Sequence, residues 1–259
     1  MAGRSCLWPA LVLTCLSTFQ KQDVAVRQNQ YGQPIGEALP HWQPAGIPGH
    51  TPLQGRFCRL EPLNLARWGD ALYQAYQTAE DDRDWTYLFW ERPQSHADFQ
   101  RYLQAQVSSA DRNTMVVIDQ TNGHAVGTCA FLRIDPGNGV AELGTINWSP
   151  LMKRSALGSE AIFLMLRHLF DDLGYRRCEW KCDSLNLPSR QAAERLGFRY
   201  EGTFRQAVVV KGRSRDTDWL SIVDGEWPAR YAAFAAWLSP DNISEDGRQE
   251  RRLQAFQLG

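Results

Sequence analysis

Apolar and polar positions change period several times along the chain, and each change predicts an element. Leu65, Trp68, Leu72 and Tyr76 repeat at helical spacing behind Asn64, a helix-capping residue type, so a helix is expected over 65–76. Ser95 to Val107 reads as a second helix. The period then shortens. Thr114–Asp119 and His124–Arg133 are strand-like runs on either side of Asn122-Gly123, a strong hairpin signal. The turn Asp135-Pro-Gly-Asn-Gly139 leads into Val140–Trp148, completing a three-strand meander. Ile162, Met165, Leu166, Leu169 and Leu173 restore helical spacing from about Ala156, with Gly174 as the stop. Arg176–Cys182 predicts another strand, and Asn186 opens a short helix that ends at Gly197. Phe204–Val210 and Asp216–Val223 form a last hairpin around the basic turn Lys211–Arg215, expected as a solvated tip. Trp227-Pro228 opens a final helix to Trp237.

The flanks read differently. Gly55–Leu60 is the first predicted strand, and Tyr31–Pro52 before it is rich in Pro and Gly, which suits an extended arm. The expected layout is an extension over 1–27, an arm over 28–54, one mixed α/β domain over 55–238 and a charged, fraying tail over 239–259. Cys6 to Phe19 is almost wholly apolar behind Arg4. It is short of the roughly 20 residues a membrane span needs. Pro9 interrupts it and no small-x-small cleavage site follows, so a mis-started or disordered extension is expected rather than an export signal.

Chemistry concentrates first at the start of the 156–173 helix. Lys153, Arg154, Ser155, Ala156, Leu157, Gly158 and Ser159 follow the strand that ends at Trp148. A helix N-terminus carries unpaired N–H groups and partial positive charge, small residues let a phosphate approach, and two cations add to the field. A second cluster is Glu80-Asp81-Asp82-Arg83-Asp84 before Trp85 and Tyr87. Asp82, Asp84, Trp85 and Tyr87 suit a cationic amine. The same residues would equally serve as an inter-helix loop with solvated carboxylates and core rings.

Composition narrows the partners. The chain has 259 residues and a net charge of -1, so bulk electrostatics imply neither nucleic acid nor an anionic membrane. Six cysteines form no CxxC pair, and the scattered histidines offer no zinc-ligand spacing, so free thiols and no metal are expected. Neither Gly-x-x-x-x-Gly-Lys-Ser/Thr nor Gly-x-Gly-x-x-Gly is present, which disfavours nucleotide sites.

Two segments together resemble a known family. Lys153-x-x-Ala156-x-Gly158-Ser159-Glu160-Ala161 is similar to the acyl-CoA pyrophosphate loop of GNAT acetyltransferases, with Lys153 and Ala156 departing from the usual Arg/Gln and Gly. Asn186-x-x-Ser189, seven residues, then Gly197-Phe198 resembles the second CoA-binding segment of that family. The Val209-Val-Lys-Gly-Arg-x-Arg-Asp-Thr-x-Trp219 pattern, followed by Glu226-Trp-Pro228, resembles the ribosomal-protein N-terminal acetyltransferase branch. The resemblance implies a GNAT-like mixed, splayed sheet flanked by helices, with acetyl-CoA wedged between Val140–Trp148 and Arg176–Cys182. It implies donor contacts from Ile146, Trp148, the 153–159 loop, Asn186 and Ser189. Many relatives place a tyrosine where Ala193 stands, so Ser189 becomes the group that steadies the leaving thiolate. Glu142 is the first candidate for the base, with Glu179 and Asp183 behind it. The implied reaction is direct transfer of acetyl to a primary amine, foremost a protein N-terminal α-amine, in a cytoplasmic monomer or homodimer. A polyamine or aminoglycoside-like acceptor, or an acyl-CoA-binding sensor without turnover, are the alternatives.

Overall fold

The computed structural model describes residues 27–153, 155–244 and 247–257. The apolar stretch 6–19 and Arg154 lie outside them. The chain divides after Trp42. In the first unit the described residues form a turn in which Gln28 bridges to Pro34 and Asn29 Oδ1 accepts the N–H groups of Tyr31 and Gln33.

The second unit, from Gln43, holds the sheet. It runs β1 (Leu53–Gln54), β2 (Cys58–Pro62), α1 (Leu65–Gln77), α2 (His96–Val107), β3 (Arg112–Asp119), β4 (Ala125–Asp135) and β5 (Val140–Trp148). Then come α3 (Leu157–Arg167), β6 (Arg177–Asp183), α4 (Leu187–Arg195), β7 (Arg199–Val210), β8 (Arg213–Val223) and α5 (Trp227–Leu238). Among the described residues these strands make one mixed sheet in the order β1-β2-β3-β4-β5-β6-β8-β7. All neighbours are antiparallel except β5 and β6.

Side-chain alternation sorts the two faces. In β3, Val116 and Ile118 join Leu72, Tyr76, Phe99 and Leu103 of α1 and α2 on the front. Met115 and Val117 join the larger back layer, where α3 and α5 cover Ala141, Leu143, Cys178 and Ile222. The caps are local: Asn64 Oδ1 accepts Arg67 N–H, Ser95 Oγ accepts Asp98 N–H, and Asn186 Oδ1 accepts Ser189 N–H. The helix expected to Leu173 does continue past Arg167, but as a π-turn over His168–Asp172.

One expectation about the flanks is corrected. The tail after Asp241 does not fray over its described part. Ile243 and Leu253 are buried in the back layer. Trp237 Nε1 donates to Gln249 Oε1, and Asn242 Nδ2 donates to the Trp237 carbonyl. Two apolar side chains in a polar segment suffice to dock it on α5. No helix among the described residues is long and apolar enough to cross a membrane.

Candidate active site

The site begins where β5 and β6 part. They hold parallel register only at Val140↔Arg177, Ala141↔Cys178, Glu142↔Glu179 and Leu143↔Trp180. Beyond Leu143, β5 follows β4 alone. Thr128 faces Asn147 while Ala130 faces Gly144, so β5 carries one extra residue there. Thr145 sits in that bulge at φ 43°, a costly conformation for a β-branched residue. Its hydroxyl is buried without a partner. The edge of β5 from Gly144 onward is therefore open to an extended ligand that supplies hydrogen bonds as a strand would.

A cavity of about 320 Å³ opens at this gap. Glu142 and Ile146 reach it from β5, Lys181 and Asp183 from β6, Asn186 and Ser189 from the start of α4, and Arg215 from β8. Tyr87 and Phe89 close it from the loop between α1 and α2. Ser189 does not serve the helix backbone through its hydroxyl. Its Oγ accepts the Trp180 indole N–H at 3.1 Å, and its O–H is directed to the Cys182 sulfur beside it. Cys182 also lines the cavity, and burial pushes its thiol up to about 11. Few such thiols ionise at neutral pH, which disfavours a covalent thioester on the protein.

The cavity floor is an ion network. Lys181 Nζ lies 2.8 Å from Glu142 Oε2 and 2.8 Å from Glu179 Oε2, with all three side chains almost fully buried. The ammonium also sits 3.8 Å from the Trp219 ring centroid. Arg133 shares Glu142 Oε2, and Arg177 bridges Glu179 to Glu201. Burial opposes ionisation of Glu179, but hydrogen bonds from Lys181 and Arg177 outweigh it and hold this carboxyl below its usual value. Asp183 stands apart: its Oδ1 accepts the Leu185 N–H, and no cation lies within 4.0 Å of its carboxylate among the described residues.

Next to the gap, α3 starts at Leu157 with Ala156 as its cap residue and no side-chain cap bond. Ser155 Oγ donates to the Met152 carbonyl and accepts the Leu157 N–H. Gly158 and Ser159 keep first-turn N–H groups that the helix cannot satisfy. A Cβ at Gly158 would come within 3.3 Å of Trp148 Nε1, so the glycine seats that indole against the helix start. Ser159 Oγ accepts from Arg195, which adds a guanidinium beside this turn. Glu160 has a structural role. Its buried carboxylate accepts the N–H groups of Arg56, Phe57 and Cys58, each at 2.7 Å, and ties α3 to the β1–β2 turn.

Several expected site residues take other places. Three carboxylates of the acidic cluster pair with cations: Asp81 with Arg83, Asp82 with Arg92, and Asp84 with Lys153 at 3.0 Å. Trp85 is core, packed on Tyr76 and Tyr102. Of the four residues expected at the acceptor, Tyr87 alone lines the cavity, its hydroxyl donating to the Leu185 carbonyl. The basic hairpin is also not a solvated tip. The turn is Lys211-Gly212, both at positive φ as a two-residue hairpin requires. Lys211 Nζ donates to the Trp85 carbonyl and pairs with Glu91, while Arg215 belongs to β8 and faces the cavity. The roles of Lys181, Arg215 and Trp180 escaped sequence reasoning. The alternation Glu179-Trp180-Lys181-Cys182-Asp183, with a charge at every second position, is the signal that marks one polar strand face.

A mixed sheet whose central parallel strands splay beside a bulge, with a small-residue helix start next to the opening, defines a fold with a cleft for an extended ligand. Residues 59–199 match the acetyltransferase (GNAT) domain family. The chain belongs to that family. A GCN5-related N-acetyltransferase from Brucella melitensis is 46% identical, with a TM-score of 0.82 over 85% of this chain and 99% of its own. The uncharacterised N-acetyltransferase p20 of Bacillus licheniformis is 31% identical over 119 residues, 44% of this chain and 64% of its own length. An acetyltransferase from Salmonella typhimurium that modifies the N-terminal serine of ribosomal protein L7/L12 shares the fold at 19% identity and a TM-score of 0.55, covering 65% of this chain and 96% of its own.

The residues present fit the acetyl-CoA that this family implies. The open β5 edge, the orphaned Thr145 hydroxyl and the first turn of α3 at Gly158 offer polar groups that such a ligand could use.

Proposed function

We propose that this chain transfers the acetyl group of acetyl-CoA directly to a primary amine. The observation that supports this most is the parting of β5 from β6 into a cavity that holds both Ser189 and Asp183. Ile146, Trp148 and Asn186 would hold the pantetheine arm. Lys153, Arg154 and the N–H groups of Gly158 and Ser159 would hold the phosphates, with Ser155, Ala156 and Leu157 shaping the turn. Lys153 must exchange Asp84 for phosphate to do so. The donor supplies a thioester carbon at which a C–N bond forms as the C–S bond breaks.

The protein's own groups manage the protons. An α-amine titrates near 7.7–8.0, so it needs only a modest acceptor for its proton. Glu142 lines the cavity, but Lys181 and Arg133 occupy its Oε2. Asp183 makes no direct ion pair among the described residues, so the proton passes to Asp183 through solvent, and Glu142 anchors the floor. Ser189 O–H turns from the Cys182 sulfur to the departing one while Trp180 holds its oxygen in place. The acceptor reading is a protein N-terminal α-amine, as the Salmonella relative's substrate suggests. A polyamine is disfavoured because Asp81, Asp82 and Asp84 already have cationic partners.

The test is thiol release from acetyl-CoA across peptides of varied N-terminus and across polyamines, with S189A, D183N and E142Q beside the native protein. S189A and D183N should each lower kcat about tenfold to a thousandfold with acetyl-CoA binding retained. Donor binding without turnover on any amine would leave a sensor and end the catalytic reading.

A further inference from the structure

Arg215 makes no direct ion pair among the described residues, although Asp183 and Glu142 lie near enough for their charges to act on it. Arg215 is 8% exposed, near the start of β8, and it faces the cavity. Nε donates to Thr217 Oγ1 at 3.2 Å, which fixes the guanidinium plane. The guanidinium carbon lies 5.3 Å from the Phe89 ring centroid. Neither terminal nitrogen has a protein partner among the described residues, and no carboxylate lies within 4.0 Å. The other cations lining the cavity are all engaged: Arg133 and Lys181 on Glu142, and Arg112 on Gln106 and Asp111.

Burial lowers the Arg215 pKa, yet a guanidinium stays protonated at any physiological pH. Leaving such a group buried and unpaired is costly unless something else neutralises it. The exposed fork, two N–H donors in one plane, matches a carboxylate bidentately. A phosphate dianion fits less well. One cation would face two negative charges, and nearby Asp183 would repel a dianion about twice as strongly as a carboxylate.

We infer that Arg215 is a specificity-determining residue that binds a carboxylate carried by the acceptor amine. The acceptor class is then an amine-bearing carboxylate: an amino acid, or a peptide whose acidic side chain or C-terminal carboxylate lies close to its reacting amine. This rests on the amine-acetyltransferase reading and narrows it. It also gives the cavity two opposite poles, with Asp183 toward the ammonium and Arg215 toward the carboxylate.

The experiment compares ω-amino carboxylates of increasing chain length, and short peptides ending in Asp or Glu, with their carboxamide counterparts. Each is assayed for thiol release by the native protein, R215Q and R215K. The native protein should favour carboxylate over carboxamide by about tenfold to a hundredfold in kcat/KM at the best chain length. R215Q should collapse that ratio to near one, acting mainly on the acceptor KM, and R215K should keep part of it. Unchanged thermal unfolding and acetyl-CoA affinity would separate this from misfolding. No preference in the native protein, or a preference that survives in R215Q, overturns the inference. If no amine is acetylated at all, the transferase reading falls by itself. Calorimetry then decides the site: carboxylate binding to native protein and not to R215Q supports it, and equal or absent binding overturns it.

Discussion

Lys181→Met would test the ion network beneath the cavity. The replacement keeps the length of the stem and removes the charge. In the native fold one ammonium lies 2.8 Å from each of two carboxylates that face each other across β5 and β6. Without it Glu142 keeps Arg133 and Glu179 keeps Arg177, but two buried anions then adjoin with nothing between them. Removing one partner of a buried pair costs about 3–5 kcal/mol. For a chain of this size that lowers Tm by roughly 6–20 °C. The loss should also depend on pH. In the native protein the depressed Glu179 carboxyl contributes stability above its unfolded value, near 4.5, and loses it as pH falls through its folded value. In the variant, repulsion raises the folded value of one carboxyl instead, so its penalty grows as pH rises. Urea unfolding at pH 5 and pH 8 would measure both. A loss below about 1 kcal/mol, or one equal at the two pH values, would refute the assignment of the network as a coupled buried cluster.

Two further outcomes follow from the α3 start. Glu160→Gln replaces an acceptor of three backbone N–H groups by an amide with one oxygen, leaving at least one donor unpaired at a cost of about 2–4 kcal/mol. Hydrogen exchange at Arg56–Cys58 should speed up, and unchanged protection there would contradict the role. Gly158→Val drives a branched side chain into the Trp148 indole and should raise the acetyl-CoA Kd by about tenfold, as titration calorimetry would show. An unchanged Kd would remove this turn from the donor site.

Much of this was local enough to read from the chain alone. The order of helices and strands, the caps at Asn64, Ser95 and Asn186, and the strand–loop–helix around Trp148 depend on residues a few positions apart. Periodicity and capping report such short-range physics directly. Tertiary structure decided the partners of the charges. Asp84 meets Lys153 across 69 residues, which ties an expected acceptor carboxylate to a cation far along the chain. Lys211 reaches the carbonyl of Trp85 across 126 residues, so the basic hairpin became a cover rather than a solvated tip. Ile243 and Leu253 found a core that no local pattern announces. The same holds for the orientation of Arg215, set by the β8 register against β7 and by an aromatic loop far upstream. A charged side chain carries no local sign of its counter-ion, because Coulomb attraction and burial act through space. Only the folded sheet shows which charges are paired and which, like Arg215, make no direct ion pair.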